Sequence, residues 1–301
     1  MITGAGINSE MQQLLISSLN AEYTDEKSFR WANFTLLACD YAKGNTMSAL
    51  SAAIAMELFA TAADIFDDIQ DQDNDELPWR KISNAQALNL GLCFLMLSDK
   101  ALSAVEDPQL YRLSKHVLNQ TGLVACDGQF RETLYEESSR ISLQQYFELV
   151  EQKSGALMSC AFQLGALFAG VSDSVLNGFG QVGIYYGIMN QIRNDLRDFL
   201  NFSKKRDFFN NTKTLPFTYL LSVLQEEKAV RFSHLAAKAR QGRGAFGEKE
   251  QNDVMRLFHE EGVTPYCQVM YEKFKQKVLG VMEEFPADAV RKEKMIKLVV
   301  E

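Results

Sequence analysis

The chain has 301 residues, 47% of them hydrophobic, enough to bury a large core. A net charge of -8 argues against a nucleic-acid partner, because phosphate backbones need clustered Lys and Arg. Only 5 prolines favour helix over a loop-rich β fold, and 5 cysteines without CxxC spacing suit reduced thiols in a cytoplasmic protein.

Apolar residues recur at three-to-four spacing over 11–19, 31–41, 48–66, 84–97 and 110–121, and again over 143–169, 178–200, 215–224, 254–258 and 266–281. Strand alternation with turn pairs is absent from the pattern. The interruptions fall at 72–78, 172–173, 204–213 and 241–247. The most apolar run, 156–171, is broken by Ser159, Gln163 and Gly165 and is short for a bilayer, so it reads as a buried helix. No signal peptide is visible at the N-terminus. The expectation is one all-α domain over 1–301, a bundle of roughly ten or more helices with its site in the core.

Asp64, Asp67, Asp68 and Asp71 fall at i, i+3, i+4 and i+7, the spacing that puts side chains on one helical face. Four like charges in about two turns destabilise a bare helix and call for a cationic counterpart. Hard ions such as Mg²⁺ take carboxylate oxygens, one or two per ion, with water or phosphate filling the remaining positions. A second polar stripe, Gln191, Asn194, Asp195 and Asp198, shares one face further on. A single acidic stripe is most often a solvated helix face, but two, each following an apolar helical run, point to a metal-and-phosphate platform.

These stripes resemble the two aspartate motifs of the trans-isoprenyl diphosphate synthases. Asp67-Asp68-Ile69-Gln70-Asp71 looks like the first motif, DDxxD, and 191–198 is similar to the second in an Asn-Asp form. Lys153-Ser154-Gly155, Gly128-Gln129 with Glu132, and Lys204 with Lys213-Thr214-Leu215-Pro216 resemble further family segments in the same order. The resemblance implies an isoprenoid-synthase-type helical bundle and Mg²⁺ held by Asp67, Asp68, Asp71, Asn194, Asp195 and Asp198. It further implies that Lys153, Gln191, Lys204 and Lys213 bind the diphosphate substrate, with Arg80 a further substrate-binding candidate, that the leaving diphosphate is neutralised by metal and lysine, and that the chain forms a homodimer. Phe59, Ala62 and Ala63 would line the prenyl-chain pocket. Asp64, Asp73 and Asp75 are further candidates for contact with metal; His116, His234, His259 and the cysteines match no motif.

The resemblance fails where the family binds isopentenyl diphosphate. Its basic N-terminal segment falls on 26–30, keeping Lys27 and Arg30 but placing Ser28 at the middle arginine. The usual His falls on Ala60, and the paired arginines after the first motif fall on Pro78-Trp79-Arg80. Each lost charge-assisted bond is worth about 1.5–3 kcal/mol, so binding of that acceptor is expected to weaken by orders of magnitude. The nearest pattern is the branch of the family in bacilli that prenylates a tryptophan of a pheromone precursor peptide. That resemblance implies transfer of a geranyl or farnesyl group to an indole, an electron-rich π-system that attracts cations. The alternatives are a conventional short-chain prenyl diphosphate synthase and, less favoured because both motifs are kept, a non-catalytic subunit.

Overall fold

The computed structural model describes residues 2, 6–21, 29–138, 140–201, 207–241, 246–285 and 287–300, with backbone only at 207, 226, 298 and 300. Lys27 and Lys204 lie outside the described residues, as do 242–245 of the loop expected at 241–247. The described residues form α-helices without a strand. In chain order these are α1 (Ser9–Ala21), α2 (Arg30–Tyr41), α3 (Leu50–Asp71), α4 (Asn84–Leu102), α5 (Pro108–Glu137), α6 (Leu143–Val150) and α7 (Ala156–Phe168). They continue with α8 (Asp173–Leu200), α9 (Asp207–Asn210), α10 (Leu215–Val223), α11 (Glu226–Arg240), α12 (Glu248–Glu260), α13 (Val263–Glu283) and α14 (Ala289–Val300). A 3₁₀ turn covers Pro78–Arg80, and a π-helical turn, Glu151–Gly155, joins α6 to α7. The helices divide into two compact units, one from 1–123, 157–184 and 279–301 and the other from 124–156 and 185–278.

In the first unit α3 packs on both α2 and α4. Its Ala52, Ala53, Ala55, Ala60 and Ala62 are fully buried, and such small side chains let neighbouring backbones approach closely. Ser98 of α4 donates to the Ala55 carbonyl at 2.7 Å, giving the buried hydroxyl a partner. The N-terminus of α2 is satisfied from α3: the Ala32 amide donates to the carboxylate of buried Glu57 at 2.8 Å. Tyr41, Phe179 and Phe285 form an aromatic cluster, with the last two rings stacked at 4.7 Å. α7 crosses α2 at Gly165, where an added Cβ would lie 2.0 Å from the Thr35 carbonyl oxygen.

The second unit is built around phenylalanine. Phe208 of α9 meets Phe199, Phe217, Phe232 and Phe246, with ring centroids 5.5–6.2 Å apart. Tyr219 and Tyr266 stack at 3.8 Å. Gly128 of α5 and Gly187 of α8 both lie against the π turn: an added Cβ would come within 3.0 Å of Gln152 and 2.4 Å of the Ser154 carbonyl oxygen, respectively. The turn is thus held by glycines on two sides.

Hydrophobic periodicity located most of these helices, and the structure extends several of them. α5 runs to Glu137 rather than 121, α12 starts at Glu248 rather than 254, and α9, α11 and α14 were not anticipated. Within α11, Phe232, Leu235, Ala236 and Ala239 are buried at i, i+3, i+4 and i+7, but the intervening charges dilute the signal. Gly165→Ala should destabilise the protein by about 1–3 kcal/mol or more, because backbone rather than a mobile side chain opposes the new methyl group. Denaturant unfolding of the variant beside wild type measures this directly.

Candidate functional site

The first aspartate stripe occupies the last two turns of α3. Asp64, Asp67 and Asp71 are half-buried, whereas Asp68 is only 6% exposed. Both carboxylate oxygens of Asp68 are engaged: Asn74 donates to Oδ1 at 2.6 Å and the Trp79 indole to Oδ2 at 2.7 Å. Burial pushes the Asp68 carboxyl up to about 6, with the Trp79 and Asn74 bonds opposing that shift and the charges of Asp67 and Asp73 adding to it. The helix stops at Gln72, which adopts left-handed backbone at φ 54, as does Asn74. These two turns bend the chain back so that the 3₁₀ turn brings the fully buried Trp79 onto Asp68.

Arg80 does not stand open to a ligand. Its Nε donates to the Asp73 carbonyl at 3.0 Å, its guanidinium pairs with Asp75 at 3.5 Å, and its side chain is 11% exposed. Arg30 lies with its guanidinium 5.9 Å from the ring centroids of Trp31 and Phe34. Of the residues expected to line a prenyl pocket, Ala62 is fully buried while Phe59 and Ala63 keep some accessible surface. Phe59 lies over Gly122 of α5, where an added Cβ would come within 3.3 Å of the ring.

The second stripe, on α8, repeats the arrangement. Asp195 is 3% exposed and accepts three hydrogen bonds: from the Tyr146 hydroxyl at 2.7 Å, the Leu215 amide at 2.8 Å and the Gln191 amide at 2.7 Å. Ser154 of the π turn donates to Gln191 Oε1 at 2.7 Å and thereby orients it. Burial raises the Asp195 carboxyl to about 6 against the pull of those three bonds, and Glu132 raises it further. The same burial drives the Tyr146 hydroxyl well above its usual value, so it stays a donor. Asn194 and Asp198 remain half-buried on the outer part of the face, and Arg197 holds Asp198 through both carboxylate oxygens at 2.8 and 3.2 Å.

Both candidate lysines in the described part of the second unit are already partnered. Lys153 forms an ion pair with Glu132 of α5. Lys213 is buried, donates to the Asn211 carbonyl at 3.0 Å and stands 5.3 Å from the Phe217 ring. Burial lowers its ammonium to about 8, Arg240 lowers it further, and Glu136 opposes both. Glu136 is itself raised, by burial first and then by Glu132. Nearby on α5, Gln129 buries an amide nitrogen that has no hydrogen-bond partner. Such donors suit ligand oxygens.

The donor set fits magnesium bound together with a diphosphate. Among the described residues no three His, Cys, Asp or Glu side chains converge into a cage of their own. Magnesium does not need one, since it keeps most of its shell as water and phosphate oxygen and takes only one or two carboxylates. Asp67 and Asp71, one turn apart on α3, are half-buried beside buried Asp68, and on α8 Asn194 and Asp198 are half-buried beside buried Asp195. Sequence reasoning missed Asn74, Trp79, Tyr146, Ser154 and the Leu215 amide as partners of the motifs. The displacement of arginines by Pro78-Trp79 was visible in the sequence, but the indole's bond to Asp68 was not.

Comparison with known proteins accounts for this constellation. The polyprenyl synthetase sequence profile matches residues 20–249. The tryptophan prenyltransferase ComQ of Bacillus subtilis is 26% identical, over 95% of this chain and 91% of its own length. The geranylgeranyl diphosphate synthase of Methanosarcina mazei is also 26% identical, over 83% of this chain and 78% of its own. In structure, a polyprenyl synthetase from Streptomyces coelicolor superposes with a TM-score of 0.83 at 17% identity, covering 98% of this chain and 92% of that one. With aspartate stripes ending two apolar helices and a profile match across most of its length, this chain belongs to the polyprenyl synthetase family and is a prenyltransferase.

Proposed function

We propose that this prenyltransferase uses magnesium to ionise geranyl or farnesyl diphosphate and passes the prenyl group to a tryptophan of a pheromone precursor peptide. The observation that carries the reading is the fate of the basic residues after the first motif. Trp79 stands where an arginine is expected and Arg80 is spent on Asp73 and Asp75, so little cationic surface remains there for a second diphosphate. The similarity to the tryptophan prenyltransferase ComQ along nearly the whole of both chains supports the same reading. Equal identity to a geranylgeranyl diphosphate synthase favours a second one, conventional elongation with isopentenyl diphosphate.

Bound magnesium would supply Lewis-acid stabilisation of the departing diphosphate. The resemblance assigns it to Asp67 and Asp71 of the first motif and Asn194 and Asp198 of the second, with Asp68 and Asp195 anchoring their neighbours on each helix. Lys153 and Lys213, with Lys204 and Lys27 as further candidates, take charge on the phosphate oxygens. Gln191, oriented by Ser154, and Arg30 complete the polar set. Phe59 and Ala63 offer apolar surface to the prenyl chain. The carbon–oxygen bond breaks with its electron pair leaving on the diphosphate, the indole C3 bonds the allylic cation through its π-pair, and the tryptophan backbone nitrogen closes onto C2 and gives its proton to solvent.

The proposal includes a homodimer working in the cytoplasm, where the five cysteines, all unpaired, stay reduced. Among the described residues no helix is long and apolar enough to cross a membrane.

Incubation with Mg²⁺, geranyl or farnesyl diphosphate and tryptophan-containing peptides should add one prenyl mass to a peptide. Efficient elongation of the donor by isopentenyl diphosphate without peptide would sink the tryptophan reading. The two motifs should also separate their acids. Asp67→Ala should cut transfer by about 10³-fold or more with little change in melting temperature. Asp195→Ala should lose stability as well, because Tyr146, Leu215 and Gln191 are left without an acceptor at about 1–3 kcal/mol each.

Lys213 gives a pH test. Its cation is lost as pH rises through about 8, far below the ordinary lysine range. The KM for the prenyl diphosphate should therefore climb above that pH in wild type. In Lys213→Met it should be raised throughout and flat across the same range.

A further inference from the structure

Trp79 takes no part in the chemistry above, yet it is 1% exposed and its only polar atom is spent on a carboxylate. Filling space would need the ring alone. The indole N–H instead meets Asp68 Oδ2 at 2.7 Å, a charge-assisted bond, while Asn74 takes the other oxygen at 2.6 Å. Asp68 cannot turn toward an ion without breaking both.

The placement of this contact gives it consequence. Asp68 directly follows Asp67 and stands three residues before Asp71, in the last turn of a helix that ends at left-handed Gln72. A final helical turn frays unless something outside it holds it. Here the holding contacts come from the loop that follows. Leu77 donates its amide to the Asn74 carbonyl at 3.0 Å, and Arg80 reaches back to the Asp73 carbonyl. The loop is thereby closed on itself, with Trp79 seated on the helix.

We propose that Trp79 is a positioning residue for the first aspartate motif. With Asn74 it keeps Asp68 inside the fold, which fixes the turn from which Asp67 and Asp71 meet a magnesium-bound diphosphate. The same latch keeps Arg80 on Asp73 and Asp75 and away from an acceptor's phosphates. This deepens, and rests on, the magnesium–diphosphate reading given above.

The test reads binding without turnover. Calorimetric titration with inorganic pyrophosphate at several Mg²⁺ concentrations should show about tenfold weaker binding for Trp79→Phe, which keeps the ring bulk and loses the donor. Asp68→Asn, which keeps the shape and loses the charge, should weaken binding to a similar degree. Equal binding by wild type and Trp79→Phe overturns the positioning role alone. Absence of Mg²⁺-dependent binding in wild type overturns the reading beneath it.

A second measurement does not depend on the variants at Trp79 or Asp68 folding well. The chain has 2 tryptophans, Trp31 and Trp79, so Trp31→Phe assigns the two indole N–H resonances. The Trp79 resonance should lie downfield and stay there when Mg²⁺ and pyrophosphate are added. Movement to the position of a free indole would mean that Asp68 leaves the latch to bind the ion, and would overturn the proposal.

Discussion

A carboxylate leaves water at a cost of several kcal/mol unless hydrogen-bond donors replace the solvent, and this protein meets that constraint once in each of its two aspartate stripes. Asp68 receives Trp79 and Asn74; Asp195 receives Tyr146, Leu215 and Gln191. Each buried acid is the second residue of a polar pair whose first member, Asp67 or Asn194, keeps some accessible surface. The two members of each pair are adjacent in sequence and about 100° apart around the helix, so fixing one orients the other. Through these bonds the loop after α3 and the start of α10 become part of the motifs.

The same logic governs the cations. A buried lysine is tolerated only with partners, and Lys153 has Glu132 while Lys213 has the Asn211 carbonyl. Neither is a bare charge waiting for phosphate. For Lys213, burial also lowers the ammonium. The π turn carrying Lys153 and Ser154 is possible because Gly128 and Gly187 leave room for backbone on both sides, and a methyl group on Gly187 would collide with the Ser154 carbonyl. Residues that never touch a substrate therefore shape where the lysine and the Gln191 amide stand.

The proposed acceptor is argued by subtraction. Arg80 survives in the sequence as the single arginine in its segment, and its identity suggests a phosphate ligand. In the fold its Nε donates to the Asp73 carbonyl and its guanidinium pairs with Asp75, with 11% of its side chain exposed. The presence of a charged residue says little about its availability when neighbouring carboxylates can take it first.

The sequence by itself determined the all-α architecture, the placement of both acidic stripes on helical faces and the membership of the family. The first two depend on local periodicity, which survives whatever packs around it, and the third on a set of motifs in a fixed order. It also showed that the arginine pair after the first motif was gone. Only the tertiary structure decided which acid in each stripe is buried on donors and which keeps accessible surface, because that depends on donors 4 to 49 residues away in the chain. The helices that periodicity missed, α9, α11 and α14, bury short apolar sets among many charges, and partners outside their own sequence make them stable. Spacing places a side chain on a face; what meets that face is set by the rest of the fold.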